Sequence, residues 1–160
     1  MARALEQARA AAAVGEVPVG AVLVHQGGIL AEAHNLTLTL GDPTAHAEIL
    51  VLREGARRLG GWRLLDTTLY ATLEPCAMCA GAVVLGRVPR LVYGAPDPKA
   101  GMVGSLGDLA RDPRLNHRAE VTSGVLADAS GELLRGFFRE RREPGGPGAE
   151  DGGGGAQDGA

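Results

Sequence analysis

The stretch Thr67-Thr-Leu-Tyr-Ala-Thr-Leu-Glu-Pro-Cys-Ala-Met-Cys79 changes character halfway along, and that change decides how the rest of the chain is read. Its first seven residues are rich in β-branched and aromatic side chains, which suits a buried strand. Glu74-Pro75 then opens a helix: proline has its φ already near the helical value, and the N–H it lacks is one that a first turn leaves unpaired anyway. The helix runs on through Cys76, Cys79, Val83 and Leu85. Residues three apart share a helix face, so Cys76 and Cys79 are predicted to point the same way from the first turn. There, free N–H groups and the positive end of the helix dipole favour thiolate over thiol.

Toward the N-terminus, Gly60-Gly61 stops a segment with helical apolar spacing (Ile49, Leu50, Leu52, Leu59). Asp42-Pro43-Thr44 is suited to starting it, at about Ala45. Before that, Val19 to Val24 and Ile29 to Ala33 flank His25-Gln-Gly-Gly28 and predict an antiparallel hairpin. Residues 3 to 14 read as an amphipathic helix ended by Gly15. Toward the C-terminus come a strand at Arg90 to Gly94, a Gly- and Pro-rich loop over 95 to 104 and a short helix near Leu106 to Ala110. A fifth strand at Glu120 to Thr122 and a last helix from about Ser130 to Arg142 complete the pattern. Helices alternating with strands predict an α/β sandwich around a mostly buried sheet. One domain is expected over 1–142. Residues 143–160 contain many glycines and nothing apolar larger than alanine or proline, so a disordered tail is expected there.

The formal charge of −3 would suit a nucleic-acid enzyme poorly if it were spread evenly. It is not: the tail holds Glu143, Glu150, Asp151 and Asp158 and no Lys or Arg, which leaves residues 1–142 near +1. Charge therefore neither favours nor excludes RNA. No apolar run approaches the roughly 18 residues of a membrane span. With two cysteines, both in one four-residue motif, a disulfide scaffold is not expected, and a reducing cytoplasm is the expected setting.

Two thiolates and an imidazole make a ligand set that catalytic zinc favours, with a fourth position for water or hydroxide. Cys76 and Cys79 supply the sulfurs, and His46, expected in the first turn of the preceding helix, supplies the nitrogen. Glu48 is the candidate to move protons. Residues two apart on a regular helix face nearly opposite ways, so His46 and Glu48 can cooperate only at the helix tip. A lone Cys-x-x-Cys would suit a structural zinc half-site or a redox pair, and a lone His-x-Glu would suit a solvated helix start. The joint pattern His46-Ala-Glu48, then Pro75-Cys-Ala-Met-Cys79, is the known signature of zinc deaminases. A closed site of four cysteines is impossible here. A Cys₂His₂ site using His25, His34 or His117 stays open but lacks the usual spacing.

Beyond the metal motif, the chain resembles the cytidine-deaminase-like superfamily and most closely the bacterial tRNA-specific adenosine deaminases. The likeness runs from Arg3 to Arg142. It rests on Glu16-Val-Pro-Val-Gly-Ala-Val22, Asn35, Asp42 to Glu48, Leu69 to Gly81, Tyr93 to Gly101, Leu115-Asn-His-Arg118 and Phe137-Phe-Arg139. The resemblance implies a three-layer α/β/α sandwich with a five-stranded mixed sheet, forming a homodimer with one Zn²⁺ per subunit. It implies deamination of adenosine to inosine at the wobble position of an arginine tRNA anticodon, with the base flipped into the pocket. It also implies substrate contacts by Asn35, Asp97, Lys99, His117, Phe138 and Arg139. Two alternatives remain at this stage: a zinc deaminase of a free base or nucleoside such as guanine or cytosine, and a non-catalytic zinc or RNA-binding module.

Overall fold

The computed structural model describes residues 1–142, so the expected tail from Glu143 onward lies outside the described residues. Ten elements follow in order: α1 (Ala2–Ala13), β1 (Gly20–His25), β2 (Gly28–His34), α2 (Thr37–Leu40), α3 (Ala47–Leu59), β3 (Thr67–Leu73), α4 (Ala77–Leu85), β4 (Arg90–Ala95), β5 (Glu120–Thr122) and α5 (Ala127–Arg142). The strands form one sheet in the order β2-β1-β3-β4-β5. β1 pairs antiparallel with both β2 and β3, while β3, β4 and β5 run parallel, so the five-stranded mixed sheet is found.

The hairpin turn is Gln26-Gly27, both at positive φ (49° and 78°), the two-residue form whose twist matches that of paired strands. In register across the sheet stand Leu23, Leu69 and Leu91, all fully buried. Each is worth about 2 kcal/mol of apolar burial. They lie beneath α3 and α4; the Leu23 side chain sits so close to Gly55 of α3 that a Cβ there would come within 2.3 Å of it. On the other face lie α1 and α5. A Cβ on Gly20 would stand 2.1 Å from Ala4 O and 2.5 Å from Ala8 N, so the closeness of α1 to β1 requires glycine there. Two helices on each face of one sheet give the expected three-layer sandwich.

Three expectations change. No helix forms at Leu106 to Ala110. That segment is a string of turns in which Gly104 N–H donates to Gly107 O and Val103 bridges Asp108, with Leu106 turned out to solvent. Gly104, at φ 140°, and Gly107 deny it helical continuity. A single turn of helix, α2, appears where the sequence suggested only loop. Its two threonines give it little helical preference, and the buried Glu16 carboxylate holds it by accepting the Leu38 and Thr39 N–H groups. The last helix starts at Ala127, three residues earlier than expected, after Gly124 and Leu126 turn the chain through positive φ.

Candidate metal centre

Chain order explains why two helix tips meet. From its first residue α3 runs away from one edge of the sheet, β3 returns to that edge, and α4 begins there. His46 is the N-cap of α3, not a member of its first turn as expected, and its backbone is extended (φ −75°, ψ 146°). That difference removes the objection to His-x-Glu: the residue just outside the helix reaches over the tip while Glu48, inside the first turn, points inward. Cys76 is likewise an extended N-cap, of α4, and Cys79 follows in the first turn, fully buried.

His46 Nδ1 lies 3.7 Å from Cys76 Sγ and 3.5 Å from Cys79 Sγ. All three ligand atoms fall within 4.8 Å of one another. Tetrahedral zinc, with Zn–S of about 2.3 Å and Zn–N of about 2.0 Å, sets such donors about 3.6 Å apart. The spacing and the donor types therefore fit a metal of that kind. The Cys76 thiol is held down to about 3 by hydrogen bonding from Cys79 and His46. Cys79 is pushed up by sharing its proton with Cys76 and by burial. Contact with Cys76 raises His46, against the opposing effect of its own burial.

Glu48 is 3% exposed, and among the described residues its Oε2 has no hydrogen-bond partner. Burial pushes its carboxyl up, and it feels the charges of His46 and Cys76. A buried carboxylate oxygen left unpaired costs about 1–3 kcal/mol, an arrangement that persists where the group has work to do.

The other expected residues divide. Asn35 is buried beside His46 and its Oδ1 accepts the Ala47 N–H at 3.0 Å, capping α3 and leaving the amide nitrogen for a ligand. Asp97 and Lys99 lie on the loop after β4. Asp97 Oδ1 accepts the N–H groups of Lys99 and Ala100, while Lys99 is exposed. This loop is stitched to the centre: Met102 N–H donates to Pro75 O at 2.9 Å and Gly101 bridges Cys76. Phe138 is 44% exposed and packs edge-on against buried Phe137, and Arg139 is exposed. Arg141, stacked on Phe137, donates to Gly15 O, so the end of α5 returns to the edge where β1 begins. His117 does not join this group. Its Nε2 lies 2.7 Å from Val88 O, just before β4, at the opposite end of that strand from Asp97.

Sequence reasoning missed Glu74, read only as the residue before a helix-opening proline. It is 2% exposed and its carboxylate collects four hydrogen bonds from the loop after β4. The available signal was a glutamate closing an apolar strand with no basic residue beside it.

A mixed sheet of this order with two helix tips and a buried acid converging at its edge defines a deaminase of the cytidine-deaminase-like class. Residues 1–142 match the family model of the MafB19-like deaminases. The tRNA-specific adenosine deaminase of Bacillus subtilis is 54% identical over 143 residues, covering 89% of each chain. A solved structure from a study of A-to-I editing by tRNA:A34 deaminases at the wobble position superposes with a TM-score of 0.81 at 47% identity, over 84% of this chain and 97% of that one. A guanine deaminase from Nitrosomonas europaea gives 0.70 at 30% identity, over 85% and 81%. The chain belongs to the family of bacterial tRNA-specific adenosine deaminases.

Proposed function

We propose that this protein converts adenosine to inosine at the wobble position of a tRNA anticodon, with an arginine tRNA as substrate. In this reading His46, Cys76 and Cys79 hold one zinc ion per subunit. When bound, zinc supplies a Lewis acid that makes water nucleophilic near neutral pH. The observation that carries the reading is the unpaired Oε2 of buried Glu48, close enough to the donor cluster for its carboxyl to feel His46, Cys76 and Cys79.

The residues divide the work as follows. The adenine, flipped out of the anticodon loop, is oriented by the Asn35 amide nitrogen at the tip of α3. Glu48 takes a proton from the attacking water as a C–O bond forms at C6. It delivers that proton to ring N1 and carries the next to the exocyclic amine, which leaves as ammonia as the C6–N bond breaks. Adenosine and water thus give inosine and ammonia. Lys99 faces phosphate, Asp97 fixes the loop that presents it, and Phe138 and Arg139 offer a stacking face and a cation. His117, tied down a strand's length away, is left out of this contact set.

The family similarity favours tRNA over a free base, since the tRNA-specific relative is 54% identical and the guanine deaminase 30%. A homodimer is supported by α4, whose turned-out residues Ala77, Gly81 and Leu85 carry no charge and begin beside Cys76. Such a face suits a second copy and brings two centres near one interface. A cytoplasmic setting is in keeping with two free cysteines and, among the described residues, no helix long and apolar enough to cross a membrane. The test is mass spectrometry of an anticodon stem-loop incubated with the protein. The expected result is a single adenosine-to-inosine mass change at the wobble position. Rapid turnover of free guanine or cytosine beside inert RNA would reverse the assignment.

A further inference from the structure

Glu74 ends β3 and stands two residues before Cys76, yet among the described residues no Lys or Arg pairs with its buried carboxylate. Every partner instead comes from the loop after β4. Oε1 accepts the N–H of Val103 at 3.0 Å and that of Ser105 at 2.9 Å. Oε2 accepts the N–H of Asp97 at 2.9 Å and the Ser105 hydroxyl. Gly101 passes so near that a Cβ there would lie 2.3 Å from the Glu74 carboxyl carbon. Burial would push Glu74 up, but these hydrogen bonds outweigh it and hold the group below its ordinary value.

Most of the loop has no packing to set its position. Residues 98–100 and 104–106 are exposed, and only Gly101 and Val103 between them are buried. Its placement rests on buried Val103, on the Met102 N–H bond to Pro75 O, and on the four bonds that Glu74 collects at both ends of the segment. We propose that Glu74 is a positioning residue for substrate: a buried post, acceptor on every side, that fixes the 97–105 loop, and with it Asp97 and Lys99, against the tip of α4. This rests on the tRNA deaminase reading for the identity of the substrate, but not for the hold on the loop.

An acceptor-only group is required. Glutamine has the same shape but carries one NH₂ in place of an oxygen. Turned toward Oε2 it faces the Asp97 N–H; turned toward Oε1 it faces the N–H groups of both Val103 and Ser105. Only the Ser105 hydroxyl can rotate to accept, so at least one main-chain donor is orphaned either way.

The experiment compares the wild type with Glu74→Gln and Ser105→Ala by amide hydrogen exchange, metal content and steady-state kinetics on an anticodon stem-loop RNA. In Glu74→Gln, exchange at Asp97, Val103 and Ser105 should quicken by about tenfold or more while amides of α3 keep their protection. KM should rise about tenfold with kcat within about threefold and metal content unchanged. Ser105→Ala, which keeps three of the four bonds, should raise KM about two- to threefold and serves alone if the glutamine variant does not fold. Loop amides that exchange as in the wild type overturn the proposal, as does a loss confined to kcat or an unchanged KM in both variants. If the wild type leaves the RNA unaltered, the tRNA reading fails, and the exchange data still decide whether Glu74 holds the loop.

Discussion

Glu48 at the tip of α3 and Glu74 at the end of β3 are 3% and 2% exposed and each stands two residues from one of the three donors, but their oxygens are used in opposite ways. Glu74 is saturated by a loop, and Glu48 keeps an oxygen with no partner. Burial alone does not mark a catalytic acid. A buried carboxylate whose lone pairs are all spent is holding structure, and one with an idle oxygen is placed for a proton. Glu16 falls on the structural side, spent on the N–H groups of α2.

The contrast can be broken most forcefully at Glu48. Replacing it by Gln removes the proposed proton carrier while keeping the shape, so the rate of inosine formation should fall by at least ~10²-fold with metal content and melting temperature preserved. An active Glu48→Gln enzyme would erase the distinction between the two glutamates. A smaller effect is expected on the other side. Gly101→Ala drives a methyl into the Glu74 carboxylate and should cost about 1–3 kcal/mol of stability by urea denaturation, without loss of the proton-transfer step.

The smallest effect separates the acids by sign. Glu16 and Glu74 have folded-state values below the ordinary 4.5, so what they contribute to stability is present above that pH and is lost as pH falls through the folded value. Glu48 is shifted the other way, so its stabilising effect is full below pH 4.5 and fades as pH rises through its raised value. Glu16→Gln should therefore flatten the acid limb of a stability curve measured between pH 7 and 3, and a limb as steep as the wild type's would show that α2 does not depend on that charge.

The strands and the cysteine pair were readable for one reason: both rest on local signals, apolar and β-branched runs bounded by turn residues and a three-residue step from Cys76 to Cys79. What it concealed depends on long-range partners. Nothing near Thr37 announces α2, because the acid that caps it is Glu16, more than twenty residues away. Glu74 looked like a helix-opening residue because its partners begin at Asp97. A short helix was expected near Leu106 to Ala110, but Leu106 finds no core to face, and the glycines decide the local shape. The start of α3 was misplaced because the Asn35 oxygen that fixes it reaches Ala47 from another segment. That bond, with the turn in which His46 N–H donates to Thr44 O, accompanies the placement of His46 as a cap.

The arrangement of donors at positions 46, 76 and 79 has a thermodynamic corollary. Only the sulfur pair survives as neighbours when the chain unfolds, since the imidazole is delivered from the tip of a separate helix, α3, thirty residues earlier in the chain. An ion at this centre is therefore held far more tightly by the native protein than by the denatured one, and linkage converts that difference into folding free energy that grows with the logarithm of free ion concentration. The melting curve of this enzyme then doubles as a gauge of metal supply, and chelation should threaten its persistence in the cell as well as its turnover.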